Sequence, residues 1–197
     1  MAGTLYFVRH GRTLFNERGI IQGWVDSPLT VEGEEQAARV GRYFARERIG
    51  FDHAYASTLA RTHQTIERIT DMPFERVPGL REWHFGAFEG ERTYLMPAWP
   101  WGDFYRQFGG EGQAEFHERI CRTIRDLMDR PGSESVLVVS HGSAAREFLL
   151  DALGEGADAR PRVPGNCSVA RYAYDGERFA LEEVLEQDDL KRALGEA

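Results

Sequence analysis

Cysteine is scarce in this chain of 197 residues, which contains only Cys121 and Cys167, 46 positions apart. Neither belongs to a CxxC pair. This usage argues against a disulfide framework and against a thiolate zinc site, and no other clear metal-ligand spacing is visible. The sequence therefore predicts a protein of the reducing cytosol, with neither a metal ion nor another cofactor.

Lysine is scarcer still, because Lys191 is the only lysine and the other basic side chains are arginines. Schiff-base chemistry and a phosphate-loop lysine both need a suitably placed lysine, and Lys191 lies near the C-terminal end. An anion bound by this chain is therefore expected to meet arginine, histidine, amide and backbone N–H groups.

Long apolar runs are also missing. No run approaches the ~20 residues that cross a bilayer, and no basic region followed by a long apolar stretch marks a secretory signal. The formal net charge of −8 argues against a nucleic-acid partner, because a polyanion would be repelled. We therefore expect neither a membrane nor a nucleic acid as a partner.

The composition, 42% hydrophobic and 28% charged, is that of a globular protein. The sequence shows no internal repeat, low-complexity tract or linker, so residues 1–197 are expected to form one domain. The oligomeric state stays open between a monomer and a homodimer.

Apolar periodicity predicts strands that alternate with helices along most of the chain. Strands are predicted at about 4–9, 51–56, 74–77 and 135–140, and a final hairpin with its turn at Asp175–Gly176. Helices are predicted at about 30–48, with Thr30 as the cap, and at about 58–70, 116–128 and 143–153. This order predicts a three-layer α/β/α sandwich with a mostly parallel central sheet.

Two predicted strands end in histidine. The stretch LYFVRHGRT places Arg9 and His10 after four apolar residues, and VLVVSHG places His141 after another such run. Ligands of parallel sheets bind outside the carboxyl ends of the strands, so both histidines are expected at one site. Arg61 lies in the first turn of a predicted helix, a position that favours anions.

Four motifs occur in a fixed order: RHGRTLFN at 9–16, STLART at 57–62, the glutamate of LREWHFGAFEG at Glu82, and SHG at 140–142. With these motifs the chain resembles the histidine phosphatase superfamily, in its phosphoglycerate mutase-like branch. The resemblance spans residues 5–142, and the C-terminal hairpin also suits it. It implies a phosphoglycerate mutase-like fold and metal-free phosphoryl transfer.

The resemblance also implies a role for each matching residue. His10 would be the nucleophile, and Glu82 the general acid for the leaving alcohol and then the base for water. Arg9, Arg61 and His141 would bind the phosphoryl oxygens, with help from Asn16 and the N–H of Gly142. Gln22 and Gly23 lie where the family's first loop contacts substrate.

The remaining histidines are interpreted as structural, with His84 close enough to Glu82 to line the pocket; they are His53, His63, His84 and His117. The aromatic segment between Tyr94 and Phe108 has two open interpretations. It either caps the core or forms a lid over the organic part of a substrate.

Three functions follow from these residues, and the first is favoured: hydrolysis of small phosphorylated metabolites through a phosphohistidine. The second is a phosphoglycerate mutase dependent on 2,3-bisphosphoglycerate, and the third is a non-catalytic phosphate-binding protein. Mutases carry a basic residue after the glutamate, where this chain has Trp83, and a longer, arginine-bearing insertion before the second histidine. Only 59 positions separate Glu82 from His141 here, and that segment is aromatic.

Overall fold

The computed structural model describes residues 2–154 and 163–196. Its strands are β1 (Gly3–Arg9), β2 (His53–Ala56), β3 (Glu75–Arg76), β4 (Ser135–Ser140), β5 (Val169–Tyr174) and β6 (Phe179–Leu185). Its α-helices are α1 (Leu14–Arg18), α2 (Val31–Arg46), α3 (Ala60–Ile69), α4 (Gln113–Met128), α5 (Gly142–Leu153) and α6 (Gln187–Leu194). No helix in these two stretches is both long enough and apolar enough to span a membrane.

The six strands form one mixed sheet in the order β3-β2-β4-β1-β5-β6. The pairs β3–β2, β2–β4 and β4–β1 are parallel, whereas β5 runs antiparallel to both β1 and β6. Strand β1 is registered on β4 so that Arg9 lies opposite Ser140. The carboxyl ends of these two central strands therefore lie side by side.

Helices cover both faces of the sheet, and alternation along the strands divides the core into two layers. On β4, Val136 and Val138 pack with the apolar face of α4 and with α5. Leu137 and Val139 of the same strand point to the opposite face, where α2, α3 and α6 pack. The predicted three-layer α/β/α sandwich is confirmed.

Most element boundaries match the sequence expectations, and Thr30 caps α2 as its position suggests, accepting the Gly33 N–H. Helices α1 and α6 were not predicted from the sequence, because both are short. Helix α1 has five residues and no buried side chain, so it leaves little hydrophobic pattern, and α6 buries only Leu190. The segment between β3 and α4 contains four short 3₁₀ turns.

Candidate active site

The carboxyl ends of β1 and β4 bring the two strand-end histidines together. The His10 N–H donates to the Ser140 carbonyl over 2.9 Å, which continues the β1–β4 pairing by one residue. The imidazole rings of His10 and His141 then lie 5.3 Å apart between centroids. Both residues are buried, since His10 is 3% exposed and His141 is 0% exposed.

The tautomer of His10 is set by its own loop. Its Nδ1 lies 2.8 Å from the Gly11 carbonyl oxygen, which only accepts, so Nδ1 carries the proton and donates. The other ring nitrogen, Nε2, keeps its lone pair. Burial, together with the charges of Arg61 and Arg9, holds the pKa of His10 well below its usual value, so the ring stays neutral. A neutral Nε2 is a nucleophile.

His141 is held from both sides of its ring. Arg61 Nε donates to His141 Nδ1 over 3.2 Å, so the His141 proton is on Nε2, which donates to Ser57 Oγ over 2.7 Å. Burial and the charge of Arg61 keep the pKa of His141 well below its usual value.

Arg9 lies against the start of α5. One terminal nitrogen donates to the Pro164 carbonyl over 2.7 Å, while its buried Nε has no hydrogen-bond partner among the described residues. A Cβ on Gly142 would come within 3.1 Å of the Arg9 guanidinium carbon. Gly142 therefore gives Arg9 its place beside the N-terminal N–H groups of α5, and both kinds of donor suit an anion.

Arg61 is fully buried, and its guanidinium donates to several groups of the protein itself. Its expected role is to bind phosphoryl oxygens. Besides His141, it donates to the Gly23 carbonyl over 2.7 Å, the Val25 carbonyl over 3.0 Å and Asp26 Oδ1 over 3.1 Å. In this state its donors hold the loop 22–26 onto the site. Its charge still lies next to both histidines.

Glu82 lies across the site at 6% exposure. The Trp83 N–H donates to Oε1 and the Ser143 N–H, at the start of α5, donates to Oε2, each over 2.9 Å. Burial raises the pKa of Glu82 above its usual value. The two hydrogen bonds lower this pKa, but their effect is smaller than that of burial. Arg119 of α4 fixes the surrounding backbone, because its guanidinium donates to the carbonyls of Arg81 and Glu82.

Asn16, Gln22 and Gly23 all lie beside the cluster. Asn16 Oδ1 accepts the Thr13 N–H in a capping box for α1, which leaves its amide N–H₂ as the group able to donate. Gln22 Oε1 accepts the Thr13 hydroxyl over 2.7 Å. The Gly23 N–H donates to Glu89, and its carbonyl accepts from Arg61.

The aromatic segment mostly packs into the core. Tyr105 is completely buried, and Trp101 and Phe104 pack in edge-to-face contacts around it and Trp83. Tyr94, in contrast, is 82% exposed. The core-capping interpretation therefore describes the greater part of this segment.

A different aromatic side chain borders Glu82. Trp24 is 39% exposed, and its indole N–H donates to the Glu82 carbonyl over 3.0 Å. Its ring lies 4.5 Å from that of His84 and 4.7 Å from the Arg81 guanidinium carbon. The sequence pattern gave no signal for Trp24, because its neighbours in the site come from residues almost 60 positions later.

Two further residues near the site were missed. Glu89 accepts the backbone N–H groups of Gly23, Trp24 and Val25 and so ties down the loop 22–26. Arg146 of α5 is 6% exposed between the rings of Trp99 and Trp101, at 4.8 and 5.0 Å. Its Nε and Nη2 have no hydrogen-bond partner among the described residues.

The model of the histidine phosphatase superfamily (branch 1) matches residues 5–187 of this chain. The chain therefore belongs to the histidine phosphatase superfamily.

Among curated relatives, the probable phosphoglycerate mutase GpmB of Salmonella paratyphi A is 35% identical over 188 residues, covering 86% of this chain and 84% of the relative. Among solved structures, phosphoglycerate mutase from Bacillus anthracis superposes with a TM-score of 0.84 at 25% identity, covering 98% and 97% of the two chains. Phosphoserine phosphatase from Entamoeba histolytica, solved with 3-phosphoglyceric acid, has a TM-score of 0.76 at 24% identity, covering 95% and 99%. The last similarity shows a shared fold alone.

Proposed function

We propose that this protein is a metal-independent phosphomonoesterase that hydrolyses small phosphorylated metabolites through a phosphohistidine on His10. The observation that carries the proposal is the fixed tautomer of His10. Its Nδ1–H is held by the Gly11 carbonyl, and Nε2 is left neutral beside the buried Arg61 and the half-buried Arg9. A binding protein has no need of a nucleophile in this state.

In the first step, His10 Nε2 attacks phosphorus and the bond from phosphorus to the ester oxygen breaks. Glu82, whose raised pKa favours the protonated form, gives its proton to the departing alcohol. Arg9 and the N-terminal N–H groups of α5 donate to the phosphoryl oxygens, and the charge of Arg61 stabilises them. When the phosphate binds, the Nε2–H of His141 exchanges Ser57 Oγ for a phosphoryl oxygen. Asn16 donates from its free amide.

In the second step, Glu82 accepts a proton from water as the water oxygen attacks phosphorus. The bond from phosphorus to Nε2 breaks, inorganic phosphate leaves, and His10 regains its lone pair. Gln22 and Gly23 contact the substrate from the loop that Arg61 and Glu89 hold. Trp24 and His84 give the organic part of the ester a flat surface beside Glu82.

The phosphoenzyme is the direct test. Rapid quenching during turnover of a labelled ester is expected to trap phosphate on His10, as an adduct labile to acid and stable to base. His10→Ala should abolish both the adduct and turnover. His53→Gln is the control, because His53 lies outside the site and its ring nitrogen Nε2 contacts the Pro131 carbonyl. Phosphate mapped to another residue, or undiminished turnover by His10→Ala, would exclude the mechanism.

Phosphoglycerate mutase is the second candidate, and Arg146 favours it. This buried guanidinium lies one helical turn beyond Ser143, and two of its nitrogens have no hydrogen-bond partner among the described residues. Burial lowers the pKa of Arg146, and the charges of Glu147 and Glu82 oppose this effect. The sequence interpretation considered arginines only between Glu82 and His141, and Arg146 lies just beyond that range as a candidate partner for a substrate carboxylate. The names of the relatives agree with this candidate.

The two candidates differ in where the phosphate goes. With 3-phosphoglycerate and a trace of 2,3-bisphosphoglycerate, we expect phosphate release to exceed formation of 2-phosphoglycerate by at least ~10-fold, which is about 1.4 kcal/mol of barrier difference. If formation of 2-phosphoglycerate instead exceeds phosphate release, the protein is a mutase. If Arg146→Met then loses this mutase activity, Arg146 binds the substrate carboxylate.

A further inference from the structure

Outside the catalytic cluster, α4 and α5 place three metal-ligating side chains together. His117 and Cys121 lie four residues apart on α4 and so share one face, and Asp151 faces them from α5. Their ligand atoms all lie within 4.8 Å of one another. Neither helix would reveal the group on its own, because Asp151 is 30 positions from Cys121 in sequence.

The distances fit one tetrahedral ion. His117 Nε2 lies 3.8 Å from Cys121 Sγ and 3.4 Å from Asp151 Oδ1. Ligands at about 2.0 Å for nitrogen and oxygen and about 2.3 Å for sulfur put neighbouring ligand atoms of Zn²⁺ roughly 3.3–3.5 Å apart. The two distances from His117 are therefore within a few tenths of an ångström of this spacing, and the Cys121 and Asp151 ligand atoms, at most 4.8 Å apart, close on the ion as it binds.

A fourth residue, Glu147, lies within ion-pair distance of the histidine. Glu147 Oε2 lies 3.6 Å from Nδ1 of His117, the ring nitrogen that faces away from the other two ligands. Gln113 donates to the other Glu147 oxygen over 3.3 Å. A carboxylate on the far ring nitrogen of a metal-bound histidine fixes its tautomer and raises its basicity.

The group is also accessible. A groove of about 510 Å³, lined in part by Gln113, His117 and Glu147, opens beside it. The side chains of His117 and Asp151 are 38% and 30% exposed, whereas Cys121 is 6% exposed. An ion can enter from the groove, keep a water on its open side and meet the thiolate within.

From these contacts we propose that His117, Cys121 and Asp151 bind one Zn²⁺-class transition-metal ion between α4 and α5. Thiolate, imidazole and carboxylate together favour Zn²⁺ over Mg²⁺ or Ca²⁺, which prefer oxygen ligands alone. Binding releases the Cys121 thiol proton to water and leaves the fourth position to a water molecule. The site lies apart from His10 and Glu82 and takes no part in the phosphoryl transfer proposed above.

Cobalt is the probe, because a thiolate ligand gives Co²⁺ a near-ultraviolet charge-transfer band. The full chain, stripped of metal and kept under a non-chelating reductant, should develop this band at one equivalent of Co²⁺, and Zn²⁺ should abolish it at one equivalent. Cys121→Ser should remove the band, while Cys167→Ser should keep it. His117→Gln should weaken Zn²⁺ binding by more than ~100-fold, and His53→Gln should not.

The variant Glu147→Gln tests whether Glu147 supports metal binding through His117. It should weaken Zn²⁺ binding by ~10–100-fold and retain the charge-transfer band at saturating Co²⁺, as expected for a residue that acts through a ligand. No band at stoichiometric Co²⁺, or a band unchanged by Cys121→Ser, would overturn the proposal. Folding of each variant is checked by its thermal transition without metal.

Discussion

Glu82 is buried with two backbone N–H groups on its carboxyl oxygens, and burial outweighs these donors in setting its pKa. A carboxyl group in this state can deliver a proton to a leaving alcohol. We expect Glu82→Gln to slow hydrolysis of aliphatic phosphate esters by ~10²-fold or more, the usual scale of general acid catalysis. Esters of p-nitrophenol, which leaves without a proton, should lose far less in the phosphorylation step. Pre-steady-state rates of phosphoenzyme formation compare the two, and equal losses would assign Glu82 a structural role.

The pH dependence of kcat/KM should depend on two pKa values, that of His10, which is lowered, and that of Glu82, which is raised. Attack requires neutral His10, whose pKa lies well below 6.5, so kcat/KM falls only as the pH drops through that low value. Proton donation requires protonated Glu82, whose pKa lies above 4.5, so kcat/KM falls as the pH rises through it. The profile is therefore expected to be bell-shaped.

Glu82→Gln makes this prediction specific, because glutamine does not titrate. The variant should lose the alkaline limb due to Glu82 and retain the acid limb due to His10. Ionisation of the substrate contributes equally to both profiles and cancels in the comparison. An alkaline limb that is unchanged in Glu82→Gln would mean that another group supplies the proton.

At the scale of the elements, the loop 22–26 depends on two charged side chains from other parts of the chain. Arg61 of α3 donates to its carbonyls, and Glu89 accepts its N–H groups. Glu89 also accepts the Phe85 N–H over 3.0 Å, so one carboxylate joins this loop to the turn after Glu82. The loop has little apolar packing of its own, which makes these hydrogen bonds its main restraint.

Glu89→Ala should therefore release the loop. We expect a loss of about 2 kcal/mol or more in unfolding free energy, because several backbone donors lose a charged acceptor. The kcat/KM should fall by ~10-fold or more, since Arg61 loses the partners that hold it. Urea denaturation and steady-state kinetics measure the two effects. Glu91→Ala, at an exposed neighbouring position, should stay within about 0.5 kcal/mol of wild type.

The sequence predicted elements with strong apolar patterns and residues at the ends of strands. The strand at 135–140 and Thr30 as a helix cap are correct because burial and capping leave local signals. Trp24, Glu89 and Arg146 left none, because their contacts join segments far apart in sequence. The contact between His117 and Asp151 left no signal for the same reason, because the two residues lie on different helices.

At the scale of the whole molecule, the proposed mechanism uses arginines and helix N–H groups, rather than a metal cation, to stabilise the charge of the phosphate. We therefore expect turnover of phosphate esters to be unchanged after exhaustive chelation, when it is assayed well below the melting temperature. The thermal midpoint should fall on chelation if the site between α4 and α5 was loaded, since ligand loss destabilises the folded state. Activity lost with a chelator and restored by a divalent ion would contradict the proposed chemistry.

The place of β1 in the sheet has a consequence for biosynthesis. This strand, which carries LYFV and ends beside His10, is synthesised well before its two neighbours in the sheet, β4 and β5. A nascent chain therefore carries an apolar strand with at least one unpaired edge until residue 174 has emerged. Such a strand is a binding site for chaperones and a seed for aggregation during translation. Slow or truncated synthesis of this protein should yield insoluble fragments, whereas the completed chain buries the strand at the centre of its sheet.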